Sequence, residues 1–231
     1  MHIPDGFINA GVSAAAGVVS AGGIGYSLHR AKETLSEKLA PMAGLVAAFI
    51  FAVQMLTFPV AAGTSGHLLG GCLAAILVGP WAGAVAVAVV LLVQALLFAD
   101  GGLTALGLNV LNMSLIAGWG GFALFVFIRR VLPATRASAV AASGIAALLS
   151  VVLASLGFVI EYAVGGNGGA SVATVFAAMI GTHCLIGIGE GIITALTVGV
   201  VLGVRPDLVY GAQDLVPTLE VRDGSLVAGR S

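Results

Sequence analysis

Long apolar runs separated by short polar breaks make up most of the chain, and they predict helices. Seven runs stand out, at residues 8–28, 42–56, 67–78, 81–98, 103–128, 137–160 and 172–203. A membrane-crossing helix needs about 20 predominantly apolar residues, and shorter ones are tolerated inside a bundle. The third run is short, and the seventh is long enough to be tilted or broken. Small residues spaced four apart, such as Gly11/Ala15 and Gly17/Ala21, permit close helix contact, although they are too frequent here to mark one interface. The expectation is an all-α integral membrane protein. A seven-helix transmembrane bundle fills residues 1–205, and 206–231 form a polar, weakly ordered cytoplasmic tail.

Composition supports the membrane reading. Of 231 residues, 59% are hydrophobic and 8% charged, whereas a soluble domain carries about 25% charged residues. The basic residues then set an orientation. Arg30, Lys32 and Lys38 fall between the first and second runs, Arg129, Arg130 and Arg136 between the fifth and sixth, and Arg205, Arg222 and Arg230 after the seventh. With seven crossings all nine lie on one side, and cytoplasmic loops carry this excess. The N-terminus is expected outside and the C-terminus in the cytoplasm, in a multi-pass protein of the cell membrane. A net charge of -1 gives no reason to expect a nucleic-acid partner. The head is not basic, and Asp5-Gly6 precede the first apolar run, so no secretory leader is read and Met1 is expected to remain. Cys72 and Cys184 lie in apolar stretches and are expected to be buried, inert thiols.

The head, Met1-His2-Ile3-Pro4-Asp5-Gly6-Phe7, holds the most distinctive chemistry. In Met-His, the α-amine, a deprotonated His2 backbone nitrogen and the His2 Nδ1 can face one cation, closing a five- and a six-membered chelate ring. One further imidazole completes a planar set of four nitrogens, which suits Ni(II) and Cu(II) and can hold Co(II). The orientation puts His67 on the same face as the amine, so it can supply that nitrogen. The alternative is a tight outer turn capped by Ser65. Asp5 could orient a ligand imidazole as a hydrogen-bond acceptor. Asp100, in Asp100-Gly101-Gly102, reads better as a turn residue. Asn109 and Asn112 form a polar strip that glues helices more readily than it binds substrate. His183 and Glu190 are two turns apart on one helical face. They fit an inner cation relay and a structural pair bonded to Asn or Ser on neighbouring helices equally well. His29 receives no role. Walker A, His-Glu-x-x-His and Gly-x-Ser-x-Gly patterns are missing from the sequence, so nothing supports an enzyme.

The head, the Gly63-Thr64-Ser65-Gly66-His67-Leu68-Leu69-Gly70-Gly71 segment, the Leu97-Phe98-Ala99-Asp100-Gly101-Gly102 turn and Gly187-Ile188-Gly189-Glu190-Gly191 together resemble the CbiM/NikM family. These are substrate-binding membrane components of energy-coupling factor (ECF) transporters for cobalt and nickel. The resemblance covers residues 1 to 206. It implies a bundle of the ECF S-component type with one added N-terminal helix, and a metal held by the Met1 amine, the His2 backbone and imidazole nitrogens, and the His67 imidazole. It further implies a non-catalytic subunit without a cofactor. Its partners would be a transmembrane coupling (T) component, a pair of cytoplasmic ATPases and, in many cases, a small accessory membrane subunit. With no appended accessory domain after the seventh run, the expected cargo is Co(2+), supplied for cobalamin synthesis, with Ni(2+) as runner-up. A proton-coupled secondary transporter or channel is the alternative class, but the internal repeats that would support it are not seen in the sequence, and an odd number of crossings does not help.

Overall fold

The computed structural model describes residues 1–34, 39–56, 58–60 and 64–216. Its helices are α1 (Ala10–Thr34), α2 (Leu39–Gln54), α3 (Gly71–Val78), α4 (Pro80–Leu97), α5 (Leu106–Val131), α6 (Arg136–Gly165) and α7 (Val172–Val204). Between α2 and α3 a small antiparallel hairpin pairs β1 (Phe58–Val60) with β2 (Thr64–Gly66), an addition to the expected all-α architecture. Five helices among the described residues, α1, α4, α5, α6 and α7, are long and apolar enough to cross a membrane. The two remaining runs gave shorter helices, of 16 residues in α2 and eight in α3.

Local chemistry fixes the helix ends. Thr135 and Ser171 each turn a side-chain oxygen to the backbone N–H three residues on, at 3.1 Å, which satisfies donors that the first turns of α6 and α7 leave unpaired. Gly79, at φ 90°, reverses the chain between α3 and α4, and Pro80 then opens α4 with its φ already helical. Within α5, residues Val110–Gly120 widen into a π-helical stretch before α-geometry resumes at Gly121.

α3 is the centre of the bundle. All eight of its residues are buried, packed by α4, α5, α6 and α7. Glycines allow the tightest contacts. A Cβ on Gly191 would lie 2.8 Å from the Gly144 carbonyl oxygen and one on Gly144 3.0 Å from that of Gly191, so α6 and α7 touch backbone to backbone. Outward positions of α7, such as Leu185, Ile188, Ile192, Leu196 and Val200, are apolar and exposed, as a lipid-facing surface requires. Cys184 also points outward, while Cys72 is buried. The expectation that both thiols are buried therefore fails for Cys184, because it sits on the outer stripe of α7.

One end of the bundle gathers the head, the 99–104 turn and the 165–167 turn. The opposite end gathers Gly79 and the chain after α7. Tyr210 lies against Gly79, Gly211 against Phe125, and Arg129 Nη2 meets Asp214 Oδ2 at 2.5 Å. Val209 and Ala212 are fully buried. The packed body thus runs beyond 205, through two short 3₁₀ turns, Pro206–Leu208 and Tyr210–Leu215. Positions 217–231 of the expected tail lie outside the described residues.

The approach of α3 to α4 yields a stability prediction. A Cβ on Gly83 would lie 2.7 Å from Ala75 N and 2.8 Å from Ala74 C, and only a backbone shift relieves that. Gly83→Ala should lower stability by about 1–3 kcal/mol, the usual cost of overpacking, seen as a reduced thermal unfolding temperature in detergent. An unchanged temperature would mean that the two helices are not held at this separation.

Candidate metal centre

Residues 1–9 are stitched into the bundle rather than lying on it. Asn109, in α5, clamps Ile3 from both sides of its backbone: Ile3 N–H donates to Asn109 Oδ1 at 2.7 Å and Asn109 Nδ2 donates to Ile3 O at 3.2 Å. Gly102 N–H also donates to Ile3 O, at 2.9 Å. Phe7 N–H closes a turn onto Pro4 O at 3.3 Å, with Gly6 at φ 75°, a conformation glycine adopts without strain. Asn9 N–H then donates to Gly165 O and Asn167 N–H to Phe7 O. The Phe7 ring packs on Tyr162 and Phe158, with centroids 5.3 and 5.8 Å away.

This stitching carries Met1 and His2 inward, to 1% and 5% exposure, beside a fully buried His67. The His2 and His67 rings stack with centroids 4.5 Å apart and planes 29° apart. His67 Nδ1 lies 2.7 Å from Leu68 O. A carbonyl can only accept, so this nitrogen carries the proton and Nε2 is left with a bare lone pair. That Nε2 is buried without a hydrogen-bond partner. His2 Nε2 stands 3.4 Å from Asp100 Oδ2, an electrostatic contact too long for a good hydrogen bond. On the other side of the ring, a Cβ on Gly101 would come within 3.0 Å of both His2 Nδ1 and Asn109 Nδ2. Imidazole lone pairs lie in the ring plane. For both rings to address one cation, one of them must turn edge-on from the stack. Among the described residues no three His, Cys, Asp or Glu side chains converge as a metal-holding group. A metal bound here would need main-chain nitrogen as well as imidazole.

Of the other sequence candidates, Asp5 is placed differently from the expectation. It does not address an imidazole. Its Oδ1 is turned to Thr104, 2.7 Å from the backbone N and 2.5 Å from Oγ1, where it braces the approach to α5. The carboxylate beside His2 is Asp100, which reads in the sequence as a turn residue. Asn112 does join helices, donating from Nδ2 to Glu161 Oε2 at 2.7 Å, whereas Asn109 fastens the head. Ser65 contributes backbone to β2, and its side chain lies outside the described atoms. His183 and Glu190 are both buried, and each bonds to backbone groups rather than to an Asn or Ser of a neighbouring helix. His183 Nδ1 meets Met179 O at 2.7 Å. Glu190 accepts from the N–H groups of Leu69 and Gly70, at 2.5 and 2.6 Å. Gln54 was missed: from the end of α2 its Nε2 donates to Leu69 O at 2.5 Å. A buried amide in so apolar a helix was the available signal.

Burial governs the electrostatics. It pushes the Met1 amine down to about 4, against the pull of the Asp100 carboxylate, and pushes His2 down to about 3, with the neighbouring amine as second cause. Burial raises the Asp100 carboxyl, and the amine partly offsets it. The hydrogen bonds from Thr104 hold Asp5 below its usual range. Amine and imidazole are therefore neutral lone-pair donors at pH 7. Between about pH 8 and 4 the unfolded amine binds a proton that the folded amine does not, and His2 does the same between about 6.5 and 3. Stability should then fall as pH falls, by about 1.4 kcal/mol per pH unit for each group inside its window. Unfolding temperatures measured without metal from pH 8.5 to 5 test this, and a flat profile would show that the head is solvated.

Known proteins resemble the chain over most of its length. The family described as cobalt uptake substrate-specific transmembrane region, CbiM, matches residues 2–208. A putative fused nickel transport protein of Archaeoglobus fulgidus is 40% identical over 90% of this chain and 68% of its own length. A putative metal transport protein of Haloquadratum walsbyi is 38% identical, covering 91% of this chain and 94% of its own. A cobalt transport protein CbiM of Sorangium cellulosum is 31% identical over 90% of this chain and 94% of its own. The crystal structure of a truncated transition metal transporter superposes with a TM-score of 0.80 at 29% identity, covering 88% of this chain and 99% of that one. With its apolar crossing helices and this match along nearly its whole length, the chain is a multi-pass membrane protein and belongs to the CbiM family of metal transport components.

Proposed function

We propose that the chain is the substrate-capture subunit of an ATP-driven importer of divalent transition metal, acting with a transmembrane coupling component and a pair of cytoplasmic ATPases. The observation that carries this reading is the burial of Met1 and His2 against His67, with amine and imidazole held as neutral donors. In the loaded site the Met1 amine, the His2 backbone nitrogen, His2 Nδ1 and His67 Nε2 surround the ion. His2 Nε2 is left facing Asp100.

Between the two ions, Ni(2+) fits this set best, because a planar all-nitrogen field suits it. The 40% identity to a relative named for nickel points the same way. Cobalt is the second reading, favoured by the family's description.

The same proposal includes seven crossings. In this reading the 67–70 segment and α3, about 12 Å long, together make one pass. The described basic residues, Arg30, Lys32, Arg129, Arg130, Arg136 and Arg205, lie at the end away from the head, and this supports a cytoplasmic position for that end.

Two measurements test the proposal. In cells expressing the protein with Cys72 and Cys184 replaced by alanine, Leu103→Cys should react with an impermeant maleimide from outside, and Ala134→Cys only after permeabilisation. The reverse pattern would sink the orientation. Titration of purified protein with Ni(II) and Co(II) should give tighter Ni(II) binding. His67→Ala or acetylation of the Met1 amine should weaken it by at least about 100-fold, since each removes a donor to the metal. Full affinity after acetylation would remove the amine from the site.

A further inference from the structure

The His67 imidazole reaches no carboxylate directly, yet a carboxylate stands one peptide group away. His67 Nδ1–H donates to Leu68 O at 2.7 Å. That carbonyl and the Leu69 N–H belong to one planar peptide unit, with oxygen and hydrogen on opposite sides. The Leu69 N–H in turn donates to Glu190 Oε2 at 2.5 Å. The three groups form a line: carboxylate, peptide, imidazole. Glu190 is 2% exposed and His67 fully buried, so water does not compete with either bond.

We infer that Glu190 is a positioning residue for the metal site, acting on His67 through the peptide between Leu68 and Leu69. A carboxylate that accepts from one edge of a peptide polarises it and strengthens the carbonyl at the other edge as an acceptor. The stronger acceptor holds His67 in the Nδ1–H tautomer and makes Nε2 a better donor to metal. Metal-ligating histidines commonly receive this support from a carboxylate or carbonyl in direct contact. Here the two are placed in series.

The geometry also fixes direction. Glu190 Oε1 accepts from Gly70 N–H at 2.6 Å, so the carboxylate is gripped at two points and cannot swing away. Gly70 lies at φ 74°, and a Cβ there would come within 2.8 Å of Ile50, so the turn that aligns the two N–H groups requires glycine. On the α7 side, the glycine contact at Gly191 fixes the helix carrying Glu190 against α6. Gln54 supplies a control within the molecule. It donates to the oxygen of Leu69, in the next peptide unit, whose Gly70 N–H Glu190 also holds, and so steadies the same backbone without bonding the Leu68–Leu69 peptide that contacts His67.

This inference rests on the proposed metal site, and the experiment separates the two. Full-length protein with a free N-terminus is titrated with Ni(II), and the ligand-field absorption band is recorded for wild type, His67→Ala, Glu190→Gln and Gln54→Met. Glu190→Gln should weaken Ni(II) binding about 10- to 100-fold and move the band, the usual cost of losing such support. Gln54→Met should change affinity much less and leave the band in place. Equal effects of Glu190→Gln and Gln54→Met would reduce both residues to mechanical anchors and overturn the relay. A Glu190→Gln protein that unfolds earlier yet keeps wild-type affinity and band overturns it too. Wild-type binding by His67→Ala would instead defeat the metal site itself. The tautomer can be read without any variant, by ¹⁵N NMR of protein labelled at histidine. His67 should appear as Nδ1–H with an unprotonated Nε2 at pH 7, and the Nε2–H tautomer would end the proposal.

Discussion

The two-sided hydrogen bonding between the Asn109 side chain and the Ile3 backbone is the constraint on which the rest depends. A chain terminus ordinarily frays, because ordering it costs conformational entropy that few contacts return. Here a side-chain amide meets the backbone N–H and C=O of Ile3, and Gly102 adds a third bond. With Ile3 fixed, Met1 and His2 have nowhere to go but inward. Burial then strips their nitrogens of protons. The membrane bundle thus supplies a dry wall and an anchor, and the terminus supplies the chemistry.

Two kinds of support surround the groups of the proposed metal site. The turn at 99–102 approaches His2 closely and can do so only because Gly101 has no side chain. The 67–70 segment is held differently, by polar side chains reaching from α2 and α7 to its backbone. Both supports use groups that an apolar environment makes costly to leave unpaired, so their geometry is strongly enforced. His2 and His67 therefore approach one another from separately anchored segments. Only the ring torsions are left to bring their lone pairs together.

Much of this was legible in the sequence. The apolar runs marked each helix, because hydrophobic length is what a bilayer selects. Met-His at the head and a second histidine in a glycine-rich break marked the candidate donors. The roles of the carboxylates were not legible. Asp5 sits three residues from His2 and was the natural choice to face an imidazole, but the turn at Gly6 sends it to Thr104. Asp100 and Glu190 approach the histidines from nearly 100 and more than 100 residues away, through tertiary contacts that no local pattern encodes. His183 and Glu190 share a helical face as periodicity predicts. Each nevertheless bonds to backbone, in one case its own helix and in the other the 67–70 segment. Periodicity reports a face and cannot report what meets it.

The widened stretch at Val110–Gly120 has a consequence for how the family can vary in length. Upstream of it, Asn109 is committed to Ile3; inside it, Asn112 is committed to Glu161 and Ser114 to the Ala84 carbonyl; beyond it, Gly121 is wedged against Cys72 and Ser150. Losing one residue from an α-helix rotates everything downstream by about 100°. The π-helical stretch already carries surplus residues per turn, so the loss of one here can be absorbed by relaxing toward α-geometry with the flanking contacts kept in phase. The widened stretch is thus a part of α5 that can give up a residue without turning Asn109 and Gly121 out of their places.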